Sequence, residues 1–445
     1  MLNKFRFILG HQAVEPQFYS TYQQLLENQW KPFEELRRVQ TVQFRSIIRF
    51  AYDHVPYYHN LFRGLGLSPS DFHDIEDLKK IPVLSRKEIK NHGDAFIPDT
   101  LSSMKYYRRS TGGSTGNPLH YRLSKFDRFL NGALLYRGWG YAGYSPGDRM
   151  IFLGGASLDT NKKPFVQRKV HEITRNTIKL STFDMGEREM HEYVRAINTF
   201  KPKFIRGYAS PVFLFSHWIE KMGLEIHTPT AVFTTAEILT PQMRNKISGV
   251  FNCDVYDNYG LNDGGVSAFE CPEHNGLHID TERSIMEIVD EEGNPMEEGT
   301  GRIIATSLHN YAMPFLRYET GDIATLSAEL CPCGREYRLL KQILGRTVDM
   351  LFTPDGKNIY GGFVDMLLQE YGEGILEYQV IQKKPDRIMI NIVTEDGFDE
   401  KNLQIIRDLI HRKENKWVLE FRYVDKIQRT RRNKYRVIIN ELLEE

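Results

Sequence analysis

Ser110-Thr111-Gly112-Gly113-Ser114-Thr115-Gly116-Asn117-Pro118 is the stretch on which the reading of this chain turns. Three glycines let the backbone approach an anion with no Cβ in the way, and four hydroxyls join the backbone N–H groups as donors. The phosphate loop of the common nucleoside triphosphatases is excluded by two details. Asn117 stands where its lysine belongs, and Pro118 leads into Leu-His-Tyr-Arg-Leu, a strand rather than the opening of a helix. Taken alone, the same residues also describe a plain turn, so their meaning depends on their company.

Outward from the loop, short apolar β-rich runs at 150–153, 204–208, 231–235 and 254–258 alternate with helical periodicity at 186–198 and 208–222. Strands separated by helices pair in parallel, which predicts an α/β fold with ligands gathered at the strand ends. Upstream, Trp30, Phe33, Leu36, Val39, Phe44, Ile47, Ile48 and Ala51 recur at three- and four-residue steps, predicting helix over 18–58 closed by Pro56. Beyond Leu277 the style changes to hairpins, with strands at 284–289 and 301–307 around the turn Glu291-Glu292-Gly293-Asn294-Pro295. From Thr347 it changes again: strands at 378–381, 387–393, 419–424 and 437–439, with a helix at 399–416, predict a small α+β unit. The expected division is a large domain over 1–346, with parallel and mixed sheets, helices and a hairpin region, and a small lid domain over 347–445.

Composition narrows the classes. At 445 residues the chain can bury a sizeable core, and 58 basic against 58 acidic side chains leave no global field toward nucleic acid or an anionic membrane. No apolar run approaches the ~18 residues a membrane helix needs, and the N-terminal residues lack a signal-peptide pattern. A cytoplasmic protein is expected, and the sequence is silent on its oligomeric state. Four cysteines are too few for a disulfide framework.

The loop has ordered company. Thr234-Thr235-Ala236-Glu237 comes first, then Asp257-Asn258-Tyr259-Gly260-Leu261-Asn262-Asp263, then Arg317-Tyr318-Glu319-Thr320-Gly321-Asp322. Gly345-Arg346-Thr347-Val348-Asp349 and Arg429-Thr430-Arg431-Arg432-Asn433-Lys434 follow. With these motifs the chain resembles the acyl-adenylate-forming superfamily, specifically the phenylacetate–coenzyme A ligase group with its capsular polysaccharide biosynthesis (CapK-like) relatives. The segment 54–90, with Val55-Pro56-Tyr57-Tyr58, Gly66 and Ile81-Pro82, extends the resemblance over nearly the whole chain.

The resemblance implies roles. Ser110 to Gly116 would hold the β- and γ-phosphates of ATP, and Asp263, where the family carries Glu, would assist Mg²⁺ with a shorter reach. Asp322 and Arg346 would contact the ribose, and Glu237, Asp257 and Tyr259, with Ala236, Asn258 and Gly260 beside them, would line the adenine and α-phosphate region. Lys434 would bridge carboxylate and α-phosphate from the lid. Asn433 before it replaces the usual glycine, and Asn is the substitute best tolerated at positive φ. Asp349 would be the hinge, and it falls on the boundary inferred above.

Cys271-Pro-Glu-His274-Asn-Gly-Leu-His278 and Cys331-Pro-Cys333 offer three thiolates and a choice of imidazoles, the donor set of a structural Zn²⁺. Spacing favours His274 as the fourth ligand, and resemblance to zinc-bearing members favours His278. Cys253 is left as a core thiol.

The implied function is a two-step ligase: a carboxylic acid and ATP give acyl-AMP and pyrophosphate, and coenzyme A then displaces AMP. Phe152, Phe204, Tyr208, Phe233 and Tyr256 near the strand ends either line a pocket for an apolar acid or fill the core. The capsular relatives suggest an amine or sugar hydroxyl as acceptor instead. A rival of another class is a catalytically degenerate nucleotide-binding scaffold, motivated by Asn117, Asp263 and Asn433. A nucleic-acid ligase would need a lysine motif that the chain lacks, and overall neutrality opposes it.

Overall fold

The computed structural model describes residues 2–111, 119–154, 170, 172–182, 185–346, 350–356, 358–395, 397–429 and 435–443. Helices come first: Leu2–Gln12, Phe18–Asn28, Phe33–His54 and Pro56–Gly64. Pro56 starts a helix rather than closing one. Val55 before it is extended (φ −112°, ψ 108°), as a residue preceding proline must be, and the missing proline N–H costs nothing in a first turn. The apolar stripe Phe44, Ile47, Ile48 and Ala51 is fully buried and packs with Phe62, Phe72, Phe96 and Phe315. Tyr58 fastens this layer to the rest: its hydroxyl donates to the Pro314 carbonyl (3.2 Å) and accepts from the Leu316 N–H (2.8 Å).

β1 (Tyr106–Ser110) and β2 (His120–Ser124) form an antiparallel hairpin around the glycine-rich loop. The main sheet follows, built from β3 (Met150–Gly154), β4 (Thr177–Ser181), β5 (Phe204–Tyr208), β6 (Ala231–Thr235), β7 (Asp254–Gly260), β8 (Ser267–Glu270), β9 (Leu277–Ile279), β10 (Ser284–Val289), β11 (Gly299–Ser307), β12 (Tyr318–Ser327) and β13 (Leu339–Arg346). Its eleven strands run β10-β11-β12-β13-β9-β8-β7-β6-β5-β3-β4. From β4 to β7 neighbours are parallel, as the alternation with helices requires, and from β7 to β10 they are antiparallel.

The parallel strands β3, β5 and β6 are buried on both faces. Ile151, Leu153, Ile205, Val232 and Val255 pack with residues of helices Glu187–Phe200, Ala209–Lys221 and Pro241–Phe251. Met150, Phe204, Phe233 and Tyr256 pack on the other side with Leu130, Leu134 and Trp139 of helix Lys125–Gly140. Phe204, Phe233 and Tyr256 are therefore core side chains: Phe204 and Phe233 stack at 5.4 Å, and Trp139 stacks on Phe233 at 5.6 Å.

After residue 349 the chain builds a second core. β14 (Met350–Phe352) pairs with β15 (Asn358–Tyr360), then β16 (Ile375–Lys384), β17 (Arg387–Thr394), β18 (Val418–Tyr423) and β19 (Ile438–Asn440) form a sheet in the order β18-β17-β16-β19. Val364, Leu368, Val380, Ile388, Ile390, Ile406, Ile410 and Trp417 form a cluster separate from the cores of the large sheet. Residues 347–349, where the hinge Asp349 is expected, lie outside the described residues.

Candidate active site

The polar groups foreseen from sequence collect where β5, β6 and β7 end, with Asp322 of β12 reaching Tyr259 of β7. Ala236, directly after β6, has φ +69°, a region that costs a residue with a Cβ about 1–2 kcal/mol. The residue that follows is Glu237. Its Oε2 accepts from the Ser210 N–H (2.9 Å) and hydroxyl (2.7 Å), and its Oε1 accepts from the Tyr435 N–H (2.8 Å). Arg429 donates to the Ser210 hydroxyl at 2.9 Å, pairs with Glu377, and lies over the Tyr435 ring at 4.5 Å. Both flanks of 430–434 are thus seated on the end of the parallel sheet. Lys434 and Asn433 lie outside the described residues.

On β7, Asp257 accepts from the Thr234 hydroxyl (2.8 Å), and its own N–H donates to Glu270 (2.7 Å). Burial lifts the Asp257 carboxyl to about 7, with the Glu270 charge adding to the rise and the Thr234 hydrogen bond opposing it. Asn258 donates to the Thr235 hydroxyl at 2.9 Å. Tyr259 donates to Asp322 Oδ2 at 2.7 Å, and Gly260 closes the strand. Asp263 accepts from the Tyr318 hydroxyl at 3.1 Å. Burial pushes the Asp263 pKa up, the negative Asp322 adds to the rise, and Arg86 opposes it. Two tyrosines therefore hold two carboxylates that repel one another, an arrangement that favours a cation between them and a phosphate.

Ser110 and Thr111 are the described end of the glycine-rich loop; Gly112, Gly113, Ser114, Thr115 and Gly116 lie outside the described residues. Thr111 ties the mouth of the loop: its N–H donates to the Leu119 carbonyl (2.9 Å), and its hydroxyl accepts from the Leu119 N–H (2.9 Å) and from Arg86 (2.8 Å). Arg86 thereby links the loop to the field at Asp263. In β13, Arg346 is the backbone partner of Asp322.

Cys271, His278, Cys331 and Cys333 meet, with their ligand atoms all within 4.8 Å of one another. Cys271 Sγ lies 3.6 Å from Cys331 Sγ, and Cys333 Sγ lies 3.4 Å from His278 Nε2. His274 stands apart. Its Nδ1 is 3.0 Å from Glu270 Oε1 and 3.3 Å from Arg244, whose guanidinium also grips both Glu270 oxygens at 3.0 Å. Cys253 packs at the edge of the core beneath the parallel strands, and burial raises its thiol to about 12.

Ser210, Arg86, Arg244 and Glu270 did not stand out in the sequence, and Arg429 was quoted only as the start of the basic motif before Lys434. Ser210 had a usable signal, since it follows Gly207-Tyr208 just beyond the end of a parallel strand. The others reach the site from distant segments, which periodicity does not reveal.

Residues 351–441 match the family model described as the CapK C-terminal domain. The chain is 28% identical to a phenylacetate-coenzyme A ligase of Thermus thermophilus, over 85% of this chain and 86% of that one. It is 24% identical to protein CapK of Staphylococcus aureus, over 92% and 90%. The solved structure of a 2-hydroxyisobutyryl-CoA ligase in its postadenylation state superposes with a TM-score of 0.74 at 19% identity, covering 93% of this chain and 91% of that one. The same ligase in its thioesterification state gives 0.60 at 19% identity, over 92% and 91%.

Proposed function

We propose that this chain, which belongs to the acyl-adenylate-forming superfamily and within it to the group of phenylacetate–coenzyme A ligases and CapK proteins, activates a carboxylic acid with ATP and passes the acyl group to coenzyme A. The observation that carries this reading is the convergence of Glu237, Asp257, Tyr259, Asp263 and Asp322 on one end of the sheet, with residues 429 and 435 docked against it.

ATP supplies the AMP that makes the acid a mixed anhydride, with pyrophosphate leaving. The protein's share is positioning and electrostatics, which do most of the work in transfers at phosphorus. The loop from Ser110 to Gly116 holds the leaving phosphates, with Thr111 fixing its base and Arg86 adding positive charge. Asp322, beside Arg346 in the strand pair, takes the ribose hydroxyls, exchanging its Tyr259 partner for them. Asp257, Asn258 and Tyr259 shape the nucleotide cleft. Asp263 would carry Mg²⁺, and its raised pKa fits a carboxyl that ionises fully when a dication arrives.

Residues 347–445 act as the lid. It brings Lys434 to the reacting carboxylate, then turns at Asp349 to admit the acceptor. The Tyr435 and Arg429 contacts support the adenylating arrangement as the one described here, as does the better superposition on the postadenylation state.

The four-residue cluster suits Zn²⁺. Three thiols and an imidazole are the Cys₃His set, and a tetrahedron with metal–sulfur bonds of ~2.3 Å puts its sulfurs ~3.8 Å apart, close to the observed 3.6 Å. The ion would cross-link the β8–β9 turn to the segment before β13 and stay out of the chemistry.

Pyrophosphate release with a panel of carboxylic acids tests the activity. Release with at least one acid is expected; ATP binding without release from any acid would leave the degenerate scaffold as the correct reading. A second acceptor reading, an amine or sugar hydroxyl, draws on the match of 351–441 to the CapK C-terminal domain. Competition between coenzyme A and amines for preformed acyl-AMP decides it.

A further inference from the structure

Arg206 sits on β5, opposite Phe152 of β3 and Phe233 of β6, two residues before the strand ends. Its guanidinium lies 4.9 Å from the Phe152 ring and 4.9 Å from the Trp139 ring. The residue as a whole is partly buried, and its Nε is fully covered with no hydrogen-bond partner. Among the described residues no carboxylate pairs with it. Beside it, Trp139 is almost fully buried and its Nε1–H also lacks a partner. Two orphaned donors thus stand together, one of them on a cation, in a wall otherwise made of aromatic rings.

Aromatic faces alone do not account for this. Burying a charge without a counter-ion is costly, and each unmet buried donor adds to the cost, so proteins keep such groups where something else completes them. Three buried arginines of the large domain meet carboxylates within the chain, Arg137 with Glu282 and Asp280, Arg283 with Asp127 and Arg317 with Glu287, and a fourth, Arg335, donates to Gln29 at 3.1 Å. Arg206 differs from them by place as well. It lies on the same strand as Gly207 and Tyr208, just ahead of Ser210, which holds Glu237 at the site's edge. Burial lowers the Arg206 pKa to about 10, which leaves it a cation at neutral pH.

We propose that Arg206 and Trp139 receive a second anionic group on the acid substrate, so that the enzyme activates one carboxylate of a dicarboxylic acid while holding the other. This rests on the adenylation reading and names its substrate class. The aromatic neighbours flank the chain or ring joining the two ends. A site built to satisfy such donors discriminates strongly against an analogue that leaves them unmet.

The test compares matched acids, pentanoate with glutarate and phenylacetate with 4-carboxyphenylacetate, by pyrophosphate release from the full-length chain. The dianion of at least one pair is expected to have a kcat/KM at least about a hundredfold higher. Arg206→Met should lower that preference about a hundredfold, mainly through KM, while leaving the monoacid unchanged. Trp139→Phe, which keeps the packing and removes the N–H, should lower it about tenfold and serves if the arginine variant does not fold. Ligand-free Arg206→Met is expected to melt higher than the wild type, because an uncompensated charge has been removed; a structural arginine would give the opposite. Equal or better use of the monoacids by the wild type, or equal loss with both acids in Arg206→Met, overturns the proposal. If no acid releases pyrophosphate, the adenylation reading fails, and calorimetric titration of the same acids then decides the matter for Arg206. Dianion binding lost in Arg206→Met supports the site, and equal binding by both proteins overturns it.

Discussion

The antiparallel half of the large sheet and its parallel half handle buried polarity differently. Around β9 and β10, Arg137 donates to Glu282 and to the Tyr337 hydroxyl, both at 2.6 Å, and Arg283 grips Asp127 at 3.1 and 2.8 Å. These charges fasten helix Lys125–Gly140 to the strands beneath it, each arginine meeting a carboxylate within the chain. Around the ends of β5, β6 and β7, where β12 contributes Asp322, the balance is left open: Asp257 is lifted toward neutrality, Asp263 and Asp322 repel, and among the described residues no carboxylate pairs with Arg206. A buried charge with its partner is scaffold. A buried charge without one marks where a ligand belongs.

The sharpest way to break this contrast is at the lid. Lys434→Ala should slow acyl-adenylate formation by about 10³-fold or more, ~4 kcal/mol, and leave transfer from preformed acyl-AMP largely intact. Equal loss of both half-reactions would remove the lid assignment. On the scaffold side, Arg283→Leu strands Asp127 in the core and should cost about 3 kcal/mol in urea unfolding; a loss under ~1 kcal/mol would mean the pair is not a structural tie. Cys331→Ser, or a strong chelator, should remove about one equivalent of zinc and lower the melting temperature. Purified protein with no bound metal would refute the zinc assignment.

Smaller effects sharpen the comparison. An acid whose pKa rises on folding keeps its proton longest in the native state, so its contribution to stability falls as pH rises from about 4 to about 7. Ligand-free Asp257→Asn should therefore gain on the order of 1 kcal/mol over the wild type at pH 8, with the difference vanishing near pH 4. Parallel unfolding curves for the two proteins at both pH values would contradict the lifted carboxyl. Tyr259→Phe frees Asp322 from one hydrogen bond and should change KM for ATP only a few-fold, ~1 kcal/mol at most.

Much of this was legible beforehand. The apolar runs that became β3, β5, β6 and β7 are short, β-branched and followed by helical periodicity, so both their type and their parallel pairing could be read. Pro56 was misread because proline ends one helix and begins the next with the same stereochemistry, and only the extended Val55 tells them apart. β8, β9 and β13 were not foreseen. Two are three or four residues long, and their polar members, Glu270 and His278, are buried by partners remote in sequence. The hairpin of β14 and β15 was missed although Pro354-Asp355-Gly356 marks its turn, with Gly356 at φ +82°. The thiol cluster was the clearest case of two readings separated by geometry: spacing pointed to His274, whose imidazole turns to Glu270, while His278 faces Cys333.

The contact from Tyr435 to Glu237 has a consequence for genetics. Its donor is a main-chain N–H, so exchanging the tyrosine for any residue but proline keeps the donor, while the Tyr435 hydroxyl, bonded to the Tyr378 backbone, is what positions it. A systematic alanine survey of the C-terminal segment would register at 435 only the loss of the side chain and would remove the Glu237 bond itself only at Glu237, some two hundred residues earlier. Variation catalogued along residues 347–445 would then understate how firmly that segment is held to Glu237.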